Sequence, residues 1–140
     1  MIWAREYTVE EINGRPKGHI GDLIGIEFTE IGPDFISARM PVNEKTHQPY
    51  GILHGGASVV LAESLGSVAS NMVIDSTKYI GVGLEVNANH LRPVKSGFVS
   101  GICKPVHIGG KTHVWDIRLY DDRGKMNCIS RLTVAIIPKT

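Results

Sequence analysis

The chain has 140 residues, with 15 Lys plus Arg against 14 Asp plus Glu and a formal net charge of +1. That length suits one domain over residues 1–140 with enough chain for a real core. The balanced charge leaves no basic surplus for nucleic acid and no charge block that would form a tail.

Met1–Glu6 lacks the apolar h-region of a signal peptide, so a cytoplasmic protein is expected. Thr8-Val9-Glu10-Glu11 is a capping-box pattern that starts a short helix, and Gly14-Arg15-Pro16 stops it. Another helical turn is expected over His19–Leu23. Gly25–Glu30 and Asp34–Val42 read as strands around an Ile31–Asp34 turn. In the second, Ile36, Ala38, Met40 and Val42 alternate with Ser37, Arg39 and Pro41, the pattern of one buried face. Residues 43–53 form a polar, turn-rich connection into a long helix over 55–74. Four strands follow: Tyr79–Leu91, Gly97–His107, Thr112–Tyr120 and Met126–Ile137. Ile80, Val82, Leu84, Val86 and Ala88 are expected on one side of the first. Trp115, Ile117 and Leu119 alternate with Asp116, Arg118 and Tyr120 in the third. The spacing predicts an antiparallel meander. The fold class is α+β, a curved antiparallel sheet around one helix, with open edges that oligomerisation would protect.

The 55–74 helix carries the chemistry. Leu61, Leu65, Val68 and Met72 give an apolar stripe, and Ala57, Ser58, Ala62, Gly66, Ala69 and Ser70 are small enough for close packing. Between Lys45 and Asp75 the only charged residue is Glu63. A lone carboxylate there is expensive to bury unless paired or neutralised, and it also argues against a membrane span. Gly55-Gly56 opens the helix, where free N–H groups and the partial positive charge make a plausible oxyanion site. Gly56, Glu63 and Ser67 share a face. The alternative is a plain turn before a helix whose Glu63 is held by a neighbouring chain.

Other motifs fail. There is no Gly-x-Ser-x-Gly elbow, and Gly81-Val82-Gly83 lacks the third glycine of a dinucleotide fingerprint. The six histidines show no metal-ligand spacing, so no metal is expected. Cys103 and Cys128 have no CxxC spacing and read as buried free thiols. Asn87–Pro93 and the His107–Thr112 turn, with Gly109, Gly110 and Lys111, are either phosphate contacts or ordinary strand ends with solvated charges.

Gly51-Ile52-Leu53-His54-Gly55-Gly56, followed seven residues later by Glu63, resembles the hotdog-fold acyl-CoA thioesterases of the phenylacetate-type branch. The likeness also covers Met1–Trp3, Met40–Val42, Thr46–Pro49, Ala62–Ser67, Asn89–Val94 and Ser130–Thr133. Within that branch it looks closest to the enzymes that hydrolyse 1,4-dihydroxy-2-naphthoyl-CoA for menaquinone synthesis and those that proofread enterobactin synthesis. The resemblance implies a hotdog fold, dimers with a continuous sheet, tetramers built from them, and active sites at the dimer interface. It implies that the Gly55 N–H polarises a thioester carbonyl, that Gln48 and His54 position the group, and that Glu63 acts as base or nucleophile with help from Ser67. It places coenzyme A against Gly83, His90, Arg92 and the turn of His107, Gly109, Gly110 and Lys111. No cofactor is implied, coenzyme A being part of the substrate, and neither nucleic acid nor membrane is an expected partner. A thioesterase acting on carrier-linked acyl groups and a non-catalytic acyl-CoA binder are the alternatives.

Overall fold

The computed structural model describes residues 1–140. Its elements in order are α1 (Val9–Asn13), α2 (Ile20–Leu23), β1 (Glu27–Ile31), β2 (Ile36–Pro41), α3 (Gly55–Val73), β3 (Tyr79–His90), β4 (Phe98–Ile108), β5 (Thr112–Tyr120) and β6 (Met126–Pro138). All strand pairs are antiparallel, and the sheet order is β1-β2-β4-β5-β6-β3. The single long helix α3 packs on the inner face of this sheet. No helix is long and apolar enough to cross a membrane.

The local signals for helices act as their chemistry dictates. The Thr8 hydroxyl accepts from the Glu11 N–H, and the Glu11 carboxylate accepts from the Thr8 N–H, closing the capping box on α1. Leu61, Ala62, Leu65, Gly66, Ala69 and Met72 of α3 are buried, while Val68 is only half-buried. Across the sheet, Val99, Cys103, Trp115, Ile117, Leu119, Leu132 and Val134 are fully enclosed. Trp3 stacks on Trp115 with ring centroids 6.5 Å apart, and its indole N–H donates to the Gly32 carbonyl at 2.7 Å. Such a pair adds about 1 kcal/mol beyond its buried area, and it ties the N-terminal segment to the core. Cys103 and Cys128 are buried and free, and burial pushes both thiols up.

Two sequence expectations need correction. The last four strands are not a simple meander: β4, β5 and β6 are, but β3 pairs with β6 at the far edge instead of with β4. β2 already occupies the free side of β4. The Leu91–Gly97 connection therefore crosses from one side of the sheet to the other. The second correction concerns which side of β3 faces the helix. Ile80, Val82 and Leu84 are exposed, and Gly81 and Gly83 face α3. The Asn71 carboxamide pins Gly81, accepting from its N–H at 3.0 Å and donating to its carbonyl at 3.4 Å. A bulge between Gly83 and Glu85 then reverses the phase, so Val86 and Ala88 do pack on the core as expected.

Behind α3 lies a buried polar cluster. Trp115 Nε1–H donates to Ser70 Oγ at 2.7 Å, and His113 Nδ1 lies 3.0 Å from the same oxygen. His113 is 1% exposed. Burial first, then the charge of His107, lowers its pKa from the ordinary 6.5. The folded state thus prefers the neutral ring. The stability this contributes is present above the unfolded pKa and is lost as pH falls through the lower folded value. Thermal unfolding of the wild type is therefore expected at a lower temperature at about pH 5 than at about pH 7.5. The acid-induced drop should shrink in His113→Asn, and an equal drop in both proteins would exclude His113 as its source.

Candidate active site

The approach to α3 is a tightly held loop. Thr46, 2% exposed, donates its hydroxyl to the Pro41 carbonyl at 2.9 Å and accepts from the Asn43 N–H at 3.1 Å. The His54 N–H donates to the Thr46 carbonyl at 2.8 Å, and the Leu53 N–H donates to the Val94 carbonyl at 2.7 Å. A His47 ring nitrogen sits 2.8 Å from the Lys95 carbonyl. The loop is thereby fastened to the crossing connection, which fixes where α3 begins. Within it, Gly51 turns the chain at φ +77°, a left-handed conformation that glycine adopts without strain.

His54 is the N-cap of α3. Its backbone is extended, and its Nδ1 accepts from the Gly56 N–H at 2.7 Å. Its carbonyl accepts from the Ala57 N–H at 3.0 Å and the Ser58 N–H at 3.3 Å. Of the first four helix donors, only the Gly55 N–H has no acceptor within the protein. This donor carries the partial positive charge of a 19-residue helix.

Gly55 lies on the wall of a cavity of about 360 Å³. Its walls include Gln48, Leu53, Ser58, His90, Arg92 and Asn127. The Gln48 Oε1 accepts from the Tyr50 N–H, which leaves its amide N–H₂ as the free end. His90 closes on the helix start, since a Cβ built on Gly55 would stand 2.8 Å from its Nε2. Of the residues singled out from sequence, the structure brings together Gln48, Gly55, His90 and Arg92 here, with His54 directly behind.

Glu63 and Ser67 lie elsewhere. Both are half-buried on α3, and Glu63 packs on β3, where a Cβ built on Gly83 would stand 2.5 Å from its Oε2. No Lys, Arg or His forms an ion pair with Glu63. Glu63 follows Gly55 at a distance of about 12 Å along the axis. One protomer thus presents an unpaired N–H at the start of α3 and, two turns further on, a carboxylate without an ion-pair partner. The turn bearing His107, Gly109, Gly110 and Lys111 is farther still. The Ile136 N–H donates to the Lys111 carbonyl, which puts this turn beside the Tyr79 end of β3, opposite the His90 end.

Sequence reading missed Ser58 and Asn127, which are 1% and 2% exposed on the cavity wall. Both carried a faint signal. Ser58 is one turn beyond Gly55, and Asn127 is an amide between the apolar Met126 and Cys128. A second cavity, of about 500 Å³, lies between the N-terminal elements and α3. Ile12, Ile26, Phe28, Ser64 and Val68 contribute to it, with Arg15 and Lys17 among its polar lining. No group of three His, Cys, Asp or Glu side chains converges as a metal site would require.

Comparison with known proteins gives a consistent answer. Residues 50–128 match the family model described as the thioesterase superfamily. The chain is 48% identical over 137 residues to the 1,4-dihydroxy-2-naphthoyl-CoA hydrolase of Escherichia coli, covering 98% of this chain and 100% of that one. It is 44% identical to the proofreading thioesterase EntH of Cronobacter turicensis, covering 98% and 99%. Among solved structures, a mutant thioesterase from Pseudomonas aeruginosa superposes with a TM-score of 0.98 at 52% identity, covering 99% of this chain and 100% of that one. A thioesterase from Haemophilus influenzae gives a TM-score of 0.95 at 41% identity, covering 99% and 96%.

Proposed function

The chain belongs to the thioesterase superfamily, with the hotdog fold, and on that premise we propose that it hydrolyses acyl-CoA thioesters of aromatic acids. The substrate we favour is 1,4-dihydroxy-2-naphthoyl-CoA, which the Escherichia coli relative is named for and which would make this a cytoplasmic step of menaquinone synthesis. The observation that carries the reading is the division of labour on α3: one unpaired N–H at its start and one uncompensated carboxylate in its middle.

In this mechanism the thioester carbonyl oxygen accepts from the Gly55 N–H, and the helix field stabilises the negative charge that builds there. Gln48 lies against the thioester, and His54 holds the helix start by its bond to Gly56. Glu63 acts from a second copy of the chain. As base it removes a proton from water, whose oxygen attacks the carbonyl carbon; as nucleophile it attacks directly and forms an anhydride that water then opens. Either route expels coenzyme A as its thiolate. Ser67, one turn beyond Glu63, orients the carboxylate or the water. No cofactor is required.

Two features support a shared site. The separation between Gly55 and Glu63 within a protomer demands another source of carboxylate, and β3 is an edge strand of 12 residues with exposed Tyr79, Ile80, Val82 and Leu84. Pairing β3 with a second β3 about a two-fold axis closes that edge and makes one continuous sheet. Such dimers would associate further into tetramers. His90 and Arg92 stand where the coenzyme A arm would leave the cavity. Gly83 and the turn of His107, Gly109, Gly110 and Lys111 would meet the arm or its phosphates from the partner. The acyl group would extend past Glu63 towards the cavity at Ser64 and Val68, whose volume suits a bicyclic ring.

Thiol release from a panel of aromatic and aliphatic acyl-CoAs tests the substrate class. We expect kcat/KM for aromatic acyl groups to exceed that for aliphatic ones by at least ~10-fold; equal or inverted rates would remove the aromatic assignment. Carrier-linked acyl groups are the second reading, favoured by the likeness to a proofreading thioesterase. Offering one acyl group on coenzyme A and on a carrier protein separates the two.

A further inference from the structure

Gly81 and Gly83 both face α3 from β3, and different neighbours exclude a side chain at each. A Cβ built on Gly81 would meet the side chains of Val134, Ser70 and Asn71 at 3.2–3.4 Å, so glycine there serves close packing. At Gly83 a single atom stands in the way, Glu63 Oε2 at 2.5 Å. The next neighbours, Glu63 Cδ at 3.6 Å and Leu132 Cδ1 at 3.8 Å, are ordinary contacts. The backbone does not require glycine either, since Gly83 lies outside the left-handed region. Glycine inside a strand weakens it. What it provides at this position is room for a carboxylate.

That carboxylate has no ion-pair partner to fix it. Its seat, by contrast, is fixed. Asn71, two turns beyond Glu63 on α3, accepts from the Gly81 N–H at 3.0 Å and donates to the Gly81 carbonyl at 3.4 Å. The same amide donates to the Ser67 carbonyl at 2.8 Å. β3 is thus clamped to α3 two residues before Gly83. Directly after Gly83 comes the bulge: Gly83 pairs with Val134 and Glu85 with Thr133, leaving Leu84 as the extra, exposed residue.

We propose that Gly83 is a positioning residue for catalysis: by lacking a Cβ it seats the Glu63 carboxylate against the β3 backbone and so sets where that carboxylate stands when it acts. The inference rests on the reading of Glu63 as base or nucleophile, and it is separate from the contact with coenzyme A proposed for Gly83 above. Ordinary contact begins near 3.4 Å, so a methyl group on residue 83 makes Oε2 withdraw by about 1 Å. The far end of the flexible Glu63 side chain yields before the clamped strand does. A misplacement of that size costs about 10²-fold in rate, while the fold loses no contact.

The test places Gly83→Ala in wild type and in the Glu63→Gln background. Each protein is assayed on the acyl-CoA that wild type turns over fastest and on the N-acetylcysteamine thioester of the same acid, which lacks the rest of the coenzyme A arm. We expect Gly83→Ala to lower kcat about 10²-fold on both substrates with KM within about threefold. In the Glu63→Gln background the same change should alter kcat by less than about threefold, because the group it displaces is already inert. The melting temperature of Gly83→Ala should match or exceed that of wild type. A raised KM on the acyl-CoA alone, with kcat held, would overturn the proposal in favour of a contact with the arm. A full loss in the Glu63→Gln background would overturn it too, since Gly83 would then act without Glu63. A fall in melting temperature alongside activity would make this glycine structural, and unchanged kcat would leave it no role. Retained kcat in Glu63→Gln itself would instead refute the reading of Glu63, whatever Gly83→Ala does.

Discussion

Glu63→Gln is expected to lower kcat for thioester hydrolysis by about 10³-fold while KM changes little. Glutamine keeps the shape that packs on Gly83 but can neither take a proton from water nor attack a carbonyl. The same substitution is expected to leave the melting temperature unchanged or higher. The carboxylate is half-buried and has no cation partner, so the fold gains nothing from its charge. A residue that costs stability and is needed for turnover has a functional origin. Loss of melting temperature together with activity would mark Glu63 as structural. Retained kcat in Glu63→Gln would remove it from the mechanism, and the base or nucleophile would then have to be sought in another group. Measuring kcat, KM and thermal unfolding on one preparation decides between these outcomes.

Most of the scaffold was legible because local chemistry and tertiary packing agree. The capping box of α1, the start of α3 and the alternation in β2 and β5 each follow from a short-range rule, and the fold satisfies all of them. β3 was misread because both of its faces look apolar or small. Its period-two signal pointed Ile80, Val82 and Leu84 inward, whereas close approach of α3 required glycine there. Gly81 meets Ser70 and Asn71, and Gly83 meets Glu63. A bulge then hid the change of phase, since nothing in Gly83–Glu85 marks it. The strand order was misread because pairing partners are set by which edges remain free, a property of the whole sheet. The candidate site divides in the same way. His54 and Gly55 could be placed from the helix signal alone, but Ser58 and Asn127 became visible only when the crossing connection closed a cavity over them. Asn127 depends on a bulge in β6, and no residue type announces one.

The separation of Gly55 from Glu63 leads to a complementation experiment. Gly55→Val fills the proposed carbonyl site, since even a methyl there would stand 2.8 Å from His90 Nε2. Glu63→Ala removes the carboxylate. Each variant alone is expected to be nearly inactive. In the proposed two-fold dimer every site takes its Gly55 from one chain and its Glu63 from the other. A hybrid dimer therefore holds one site with both residues intact and one site with both missing. Random pairing of equal amounts makes half the dimers hybrid, so unfolding the two variants together and refolding them should recover about a quarter of wild-type activity. Isolating the hybrid through two different affinity tags should raise this to about half. If Gly55 and Glu63 of the same chain served one site, the hybrid would have no intact pair, and mixing would recover nothing. The roughly 12 Å between them along α3 argues for recovery, because a helix is too stiff to bring its own residues eight positions apart onto one carbonyl. Chain exchange thus tests the dimer and the division of the site in one measurement, whichever acyl group the enzyme prefers.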